Sequence, residues 1–212
     1  MSYTAANAIT ETRYLINENT ADFWSDTEIE GWIKEATIDV SCKLLSAEAE
    51  GTIDIVDNQW IYTSDDESWI GDLLKIKGCY YEIVNTTTSA LVSVAGLQRV
   101  DMEKFGHLQV TTGRPKYFME NNRSVYIYPI PTSTEEQYDI EVLYAYETDD
   151  VTALRDEHQS LTFLYAASKA KMKDRLFEEA NFYMSQYLNS ISFERKDKYD
   201  FGVDPTSEFD LK

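Results

Sequence analysis

The sequence predicts an α+β protein in which a helical bundle base carries an inserted β-rich module and ends in an extended C-terminal tail. Apolar residues recur about every 3.6 positions near both ends of the chain, which is the period of an amphipathic helix. The region between them alternates apolar and polar residues, as strands do. The last residues are polar and include Gly and Pro. We therefore divide the chain into N-terminal helices (1–46), a β-rich insertion (47–149), a C-terminal helical hairpin (150–197) and an extended arm (198–212).

The N-terminal part contains two predicted helices, at residues 4–18 and 26–45. Ser25 is a strong N-cap, and Glu28 three residues later completes a capping box. Phe23 or Trp24 is placed to form a hydrophobic staple with Ile29. The second helix has one apolar stripe, formed by Ile29, Trp32, Ile33, Ala36, Val40 and Leu44.

The middle of the chain is predicted to be mostly strands. Asp57-Asn58 is a plausible two-residue hairpin turn between strands at 52–56 and 59–63. Further strands are expected at 73–77 and 79–84 around Gly78, at 91–94 and at 139–147, with a short helix at 97–105.

A second hairpin is predicted within the stretch GRPKYFMENNRSVYIYPIPTS. Strands at 116–120 and 124–130 flank the turn residues Asn121-Asn122-Arg123. Val125 and Ile127 face one side of the second strand, and Tyr126 and Tyr128 face the other.

The helical period returns after residue 158. Its phase breaks near Lys173-Asp174-Arg175, which favours two antiparallel helices over the alternative of one long bent helix. The second of these helices has a predicted stripe of Phe177, Ala180, Met184, Tyr187 and Ile191.

The chain is strongly acidic, with a formal net charge of −19 over 212 residues. Such a surface repels polynucleotides and anionic membranes, so sequence-specific DNA binding is not expected. The N-terminus has no basic stretch followed by an apolar core, and no apolar run is long enough to cross a membrane. We therefore expect neither a signal peptide nor a membrane partner, and a protein made on the cytoplasmic side.

No catalytic or metal-binding pattern is present in the sequence. His107 is expected at the surface, and His158 in a solvated acidic first turn beside Asp156 and Glu157. Cys42 and Cys79 are expected to be reduced and separate. Acidic clusters such as Asp65-Asp66-Glu67 are ordinary for so charged a chain, and nucleotide-binding, esterase and zinc-protease motifs are missing. We predict no enzyme activity and no cofactor.

Four aromatic residues of the middle region are candidate contact residues. Trp60 and Trp69 flank the acidic loop 64–68, and Tyr126 and Tyr128 share one strand face. Packing in a sheet or a subunit contact is favoured, because interfaces are enriched in Trp and Tyr. An exposed carbohydrate-binding platform is the alternative.

Three segments of the chain carry a pattern in their order and spacing: NENTADFWSD at 17–26, GRPKYF followed by VYIYPIP, and DEHQSLTFLYAASKAKMKDRLFEEANFYMSQYLN. Together they resemble one family, the head-tail connector proteins of tailed bacteriophages, also called adaptor or collar proteins. The first segment resembles the phrase that precedes a helix in that family, and the second resembles its Gly-x-Pro-x-Tyr-Phe, strand and Pro-x-Pro sequence. The third is similar to its closing pair of helices. The acidic segment 57–84 matches least.

The resemblance implies a structural protein that forms a ring of about twelve copies beneath the portal, extends the DNA channel and gives tail components a docking surface. Implied partners are the portal protein, tail or nozzle proteins with tail fibres as a further candidate, other copies of the chain, and genomic DNA that passes without specific binding. The C-terminal arm, with Tyr199, Phe201, Phe209 and Leu211, is then expected to dock on the portal or on a neighbour. The implied location is the virion neck, after assembly in the host cytoplasm.

Two alternatives remain open at this point. One is a receptor- or carbohydrate-binding virion module using Trp60, Trp69 and the tyrosines. The other is a different neck or tail-completion protein.

Overall fold

A computed structural model describes residues 4–18, 22–85, 90–107, 111–136 and 138–200. The chain divides into two compact units. The helical unit combines Met1–Leu44 with Asp149–Lys212, and the β unit is Leu45–Thr148. With helices at both ends and strands in the middle, the predicted α+β class is confirmed.

The described residues form five α-helices, eight strands and two short 3₁₀ helices (Ser68–Asp72 and Val151–Ala153). The helices are α1 (Ala5–Ile16), α2 (Asp26–Leu44), α3 (Met102–Gly106), α4 (Asp156–Lys173) and α5 (Phe177–Asp200). The strands are β1 (Glu48–Asp54), β2 (Ile61–Tyr62), β3 (Leu73–Asn85), β4 (Ala90–Gly96), β5 (Gln98–Arg99), β6 (Tyr117–Glu120), β7 (Val125–Tyr128) and β8 (Asp139–Tyr146).

In the helical unit, α1, α2 and α5 all pack against α4. The contact surface of α4 includes Ala166, Ala167 and Ala170, each fully buried, and small side chains let helix backbones approach closely. The predicted capping box of α2 is confirmed, because the Glu28 N–H donates to Ser25 Oγ and the Ser25 N–H donates back to Glu28 Oε2.

The favoured prediction of two C-terminal helices is confirmed, because α4 ends at Lys173 and α5 begins at Phe177. Arg175 has a left-handed backbone with φ of 62°. The Arg175 N–H donates to Met172 O, and the Leu176 N–H donates to Lys171 O. This pair of hydrogen bonds is a Schellman motif, which ends a helix and satisfies its last carbonyls. Phe177, predicted on the buried stripe of α5, is instead exposed, whereas Ala180, Tyr187 and Ile191 are buried.

The β unit contains two sheets. The larger has the order β1-β8-β3-β4 and is antiparallel throughout, and the smaller has the order β2-β7-β6-β5, with β5 parallel to β6. One apolar cluster draws on both sheets, including Ile76, Ile140 and Val142 from the larger and Phe118 and Ile127 from the smaller.

Two strand predictions in this unit were wrong. Residues 52–56 and 59–63 do not form a hairpin, because β1 pairs with β8 and β2 pairs with β7. The chain does turn at Asp57-Asn58, but this turn carries it from the larger sheet to the smaller one. The two strands predicted around Gly78 are one strand, β3, whose register against β8 shifts between Ile76 and Gly78.

The predicted helix at 97–105 is also shorter than expected. It begins only at Met102, where Asp101 caps it by accepting the Lys104 N–H at 2.7 Å. The preceding residues instead include β5, the edge strand of the smaller sheet, which pairs with β6.

The second predicted hairpin is present as β6 and β7. Asn121 and Ser124 exchange backbone hydrogen bonds, and Asn122 and Arg123 between them both have positive φ. Positive φ at both central residues defines a type I′ turn, whose twist matches that of the two strands it joins. The Arg123 guanidinium donates to Gly71 O at 2.7 Å and to Glu147 Oε2 at 2.8 Å, so it fixes the hairpin tip within the β unit.

Candidate interaction surfaces

An aromatic cluster lies on the small sheet of the β unit. The ring of Trp60 stacks on Phe105, with centroids 6.0 Å apart and planes 11° apart, and Tyr126 meets both rings edge-on. Tyr128 contacts Phe105 with centroids 6.1 Å apart, and Tyr117 stacks on Tyr128. We call Trp60, Phe105, Tyr117, Tyr126 and Tyr128 the small-sheet cluster.

Strand alternation explains this cluster. Val125 and Ile127 are buried in the core, so Tyr126 and Tyr128 emerge on the opposite face of β7. Trp60 is held beside them because its carbonyl accepts the Ile127 N–H at 3.0 Å. Trp60 remains 37% exposed, which leaves one side of the cluster open to solvent. Phe105 was missed from the sequence, although its place in a short helix before the hairpin was a usable signal.

Trp69 is not part of that cluster. Its indole packs on Tyr144 with centroids 4.5 Å apart, and its Nε1–H donates to Thr52 O at 3.1 Å. The ring also covers Gly51, where an added Cβ would lie 2.9 Å from it. The structure therefore brings three of the four candidate aromatics together and gives Trp69 a separate packing position.

The predicted arm lies almost wholly outside the described residues. Helix α5 extends to Asp200, three residues beyond the predicted helix end, and Tyr199 is in its last turn. Phe201, Phe209 and Leu211 are outside the described part of the chain.

The helical unit has exposed aromatic side chains that sequence reasoning missed. Five of them are more than half exposed: Tyr14, Phe23, Phe177, Phe182 and Phe193. Isolated exposed apolar residues are ordinary, so each of these rings is a candidate contact residue rather than part of a demonstrated patch. The available signal was that Phe182 and Phe193 fall out of phase with the buried stripe of α5.

The backbone around Phe23 is held by hydrogen bonds to one carboxylate. Glu18 Oε1 accepts the backbone N–H groups of Asp22 at 3.0 Å, Phe23 at 2.7 Å and Trp24 at 2.9 Å. Burial alone would raise the pKa of Glu18, but these three donors and Arg13 together outweigh it and lower the pKa. Trp24 is buried edge-on against Trp32, while its neighbour Phe23 is 70% exposed.

A groove of about 410 Å³ lies on the same unit between α2 and α5. Its apolar lining includes Ile38, Met184 and Leu188. Two tyrosines at its wall are tied to α2, since Tyr165 donates to Glu35 Oε1 at 2.5 Å and Tyr187 donates to Asp39 Oδ2. Burial, followed by the bond to Asp39, raises the pKa of Tyr187, so its hydroxyl stays protonated and serves as a structural donor.

The remaining polar candidates have structural positions. His158 is fully buried, with Nε2 3.6 Å from Glu194 Oε2, so the predicted solvated position was wrong. The reason is that His158 lies on a side of α4 that other elements cover, whereas Asp156 and Glu157 in the same turn are exposed. His107 is exposed as predicted. Asp66 accepts the Thr63 N–H at 2.8 Å, and this bond leads the lowering of its pKa.

Cys42 and Cys79 are not joined by a disulfide, as predicted, and burial raises the pKa of the Cys79 thiol to about 12. In the described residues, no group of three His, Cys, Asp or Glu side chains is close enough to hold a metal ion. Nor does any helix of the described part have the length and apolarity needed to span a bilayer.

Exposed aromatic side chains on an α+β scaffold are typical of proteins that assemble with other proteins. The family described as SU10 adaptor protein matches residues 3–205, and the chain belongs to that family. The resemblance to bacteriophage adaptors is thereby confirmed, and the protein is a phage structural adaptor. No curated protein matches the chain.

Proposed function

We propose that the chain is a head-to-tail adaptor whose copies form a ring of about twelve between portal and tail. In this position it extends the DNA channel and provides the docking surface for tail or nozzle proteins, with tail fibres as a further candidate. Membership of the adaptor family supports contact with portal and tail components and a location in the virion. The neck is the position that we assign, reached after assembly in the host cytoplasm.

The observation that carries this proposal is the set of exposed aromatic side chains on the helical unit. Burying one Phe side chain stabilises an interface by about 1.5–3 kcal/mol. The five rings therefore leave binding energy unused in a single copy. We assign Phe182 and Phe193 on α5, and Phe23 before α2, to contacts with a neighbouring copy or the portal.

The small-sheet cluster is our candidate surface for the tail or for an adjacent subunit. Its rings are already ordered by stacking on one another, so little conformational entropy is lost when a partner covers them. Trp60, Tyr126 and Tyr128 form this contact in our proposal. Trp69 instead packs on Tyr144 of the larger sheet and stabilises that sheet. The arm residues Tyr199, Phe201, Phe209 and Leu211 remain proposed docking residues for the portal or a neighbour.

The acidic surface suits the passage of DNA. A net charge of −19 per copy repels phosphates, so a channel wall of this composition would not retain DNA. In a gel-shift experiment at physiological salt, we expect the assembled ring to leave the mobility of duplex DNA unchanged. Retention that weakens steeply with added salt would show that the lumen is basic and would contradict this part of the proposal.

The test is to mix the purified chain with the portal ring from the same genome and to measure the mass of the complex. A discrete complex with one ring of copies is expected. Phe182→Ser with Phe193→Ser should reduce its formation, whereas the control Gln186→Ser, at an exposed polar position of α5, should not. If no complex forms at any salt concentration, the adaptor position is contradicted and a neck or tail-completion protein elsewhere in the particle is favoured.

A carbohydrate-binding virion module is a second candidate, favoured by the exposure of Trp60. One face of its indole is already stacked on Phe105, which reduces the surface left for a sugar ring. Glycan-array binding by the purified chain that Trp60→Ala abolishes would support this candidate over the adaptor contact.

A further inference from the structure

A cleft of about 430 Å³ on the β unit is basic, in contrast to the rest of the chain. Lys75, Lys77 and Arg99 line it, and no carboxylate in the described part of the chain does. The β unit as a whole carries 17 acidic and 7 basic residues. Three cations around one opening are therefore a local reversal of charge.

The three cations differ in how far they are neutralised. Lys77 pairs with Glu48 and also donates to Leu45 O at 3.0 Å, and Arg99 pairs with Glu120. Lys75 has no ion-pair partner among the described residues. Three cations against two carboxylates leave this site with one positive charge, carried by Lys75.

The backbone shapes the cleft as well. The register of β3 shifts between Ile76 and Gly78, which leaves Lys77 without a residue directly opposite on β8. Such irregularities redirect side chains and are frequent beside binding sites. The Tyr80 ring lies against Gly78, where an added Cβ would be 2.8 Å from it, and an added Cβ at Gly96 would meet only open space.

The cleft thus combines three cationic side chains with an apolar and aromatic lining, which includes Tyr80 and Phe118. A ligand that fits both carries a carboxylate next to an aromatic or aliphatic side chain. A polynucleotide is disfavoured, because its many phosphates would also meet the acidic surface around this single positive charge.

We propose that the cleft binds the C-terminal segment 201–212 of a neighbouring copy. That segment, FGVDPTSEFDLK, has three acidic residues against one lysine and places Phe209 and Leu211 beside Glu208 and Asp210. Complementary charge and apolar contact match the cleft. Twelve residues reach about 40 Å when extended, enough to bridge adjacent copies. The inference rests on the proposed function, because it names the neighbour's cleft as the receptor of the docking arm.

The first experiment does not depend on a ring. A fluorescent synthetic peptide of residues 201–212 is titrated into the full-length chain and its anisotropy is measured. We expect saturable binding that added salt weakens and that Lys75→Gln weakens about five- to tenfold. Lys75 has no described ion-pair partner, so this change should leave the fold intact, and Lys104→Gln on α3 is the matched control. No binding at a millimolar concentration of the full-length chain, or equal binding by wild type and Lys75→Gln, would overturn the inference.

The second experiment separates the inference from the proposed function. Equal amounts of ¹⁴N and ¹⁵N chain are assembled on the portal and treated with a carbodiimide, which joins lysines to carboxylates in direct contact. We expect peptides joining Lys75 or Lys77 to Glu208 or Asp210, with mixed isotopes. A complete ring whose segment is joined only to portal lysines, or only within its own chain, would overturn the inference and leave the adaptor function intact.

Discussion

Arg13 and Glu18 lie 3.4 Å apart, from Nη1 to Oε1, at the C-terminal end of α1. Between them they hold the residues immediately before α2. Glu18 accepts three backbone N–H groups, and Arg13 donates to Trp24 O at 2.7 Å and to Asp26 Oδ1 at 2.6 Å. Asn17 between them has φ of 63° and ends the helix in a Schellman motif. These contacts hold residues 22–24 in place, with Phe23 on the surface.

Glu18→Gln is expected to destabilise the chain by about 1.5–3 kcal/mol at neutral pH, because it removes a charge that accepts three hydrogen bonds. The pKa of Glu18 is lowered in the folded state, so its contribution is complete above its unfolded pKa and is lost as pH falls through the folded pKa. The difference in unfolding free energy between wild type and variant should therefore shrink below about pH 4.5. Urea titrations from pH 7 to pH 3 measure this, with exposed Glu11→Gln as control. A pH-independent difference would contradict the assignment.

Arg175→Gly should stabilise the chain by about 1 kcal/mol. Arg175 has a left-handed backbone that costs a residue with a Cβ roughly 1–2 kcal/mol, and glycine adopts it without strain. The matched change Lys173→Gly, in the last regular turn of α4, should destabilise by about 1 kcal/mol. Thermal unfolding midpoints of the two variants should therefore move in opposite directions. A shift of the same sign in both would show that the turn does not end α4 as described.

Trp60→Ala and Trp69→Ala should have different consequences. Trp69 packs on Tyr144 and donates a hydrogen bond to Thr52, so its loss should cost about 3 kcal/mol. Trp60 is partly exposed, so its loss should cost only about 1 kcal/mol while it weakens docking of the tail component. Chemical unfolding and co-purification with the tail measure the two effects. Equal stability losses, or tail docking that survives Trp60→Ala, would remove the small-sheet cluster from the interface.

Phe182→Ser should change the unfolding free energy by no more than about 0.5 kcal/mol, since the ring is 58% exposed. It should nevertheless weaken assembly with the portal, measured by sedimentation of mixtures at several concentrations. Tyr187→Phe, which removes only the buried hydroxyl that bonds Asp39, should give the reverse pattern of lower stability and normal assembly. Unchanged assembly in Phe182→Ser would direct the search to Tyr14 and Phe23.

Local patterns in the sequence predicted the elements whose signals are local. The capping box at Ser25, the hairpin of β6 and β7 and the break after Lys173 all depend on neighbouring residues, and each is present. Strand pairing depends on distant residues, and there the prediction failed. The turn at Asp57-Asn58 has the chemistry of a hairpin, yet β1 pairs with β8, which begins at Asp139.

The interaction surfaces were less predictable than the fold. Tyr126 was found because strand alternation reveals which face it occupies. Phe182 and His158 were not, because the side of a helix that is covered depends on how many helices surround it. The basic cleft could not be predicted, since Lys75 on β3 and Arg99 on β5 belong to different sheets and meet only in the folded β unit.

The division of the chain into two units also bears on the order in which they fold during synthesis. The β unit is one continuous stretch, Leu45–Thr148, whereas the helical unit is made of two pieces that this stretch separates. On a ribosome, α1 and α2 emerge more than a hundred residues before α4, the helix against which both pack. Domains fold as they are delivered, so the β unit completes its sheets first. The exposed rings of α5 can then take their folded positions only after α4 and α5 have been made, later than the β unit that separates them from α1 and α2.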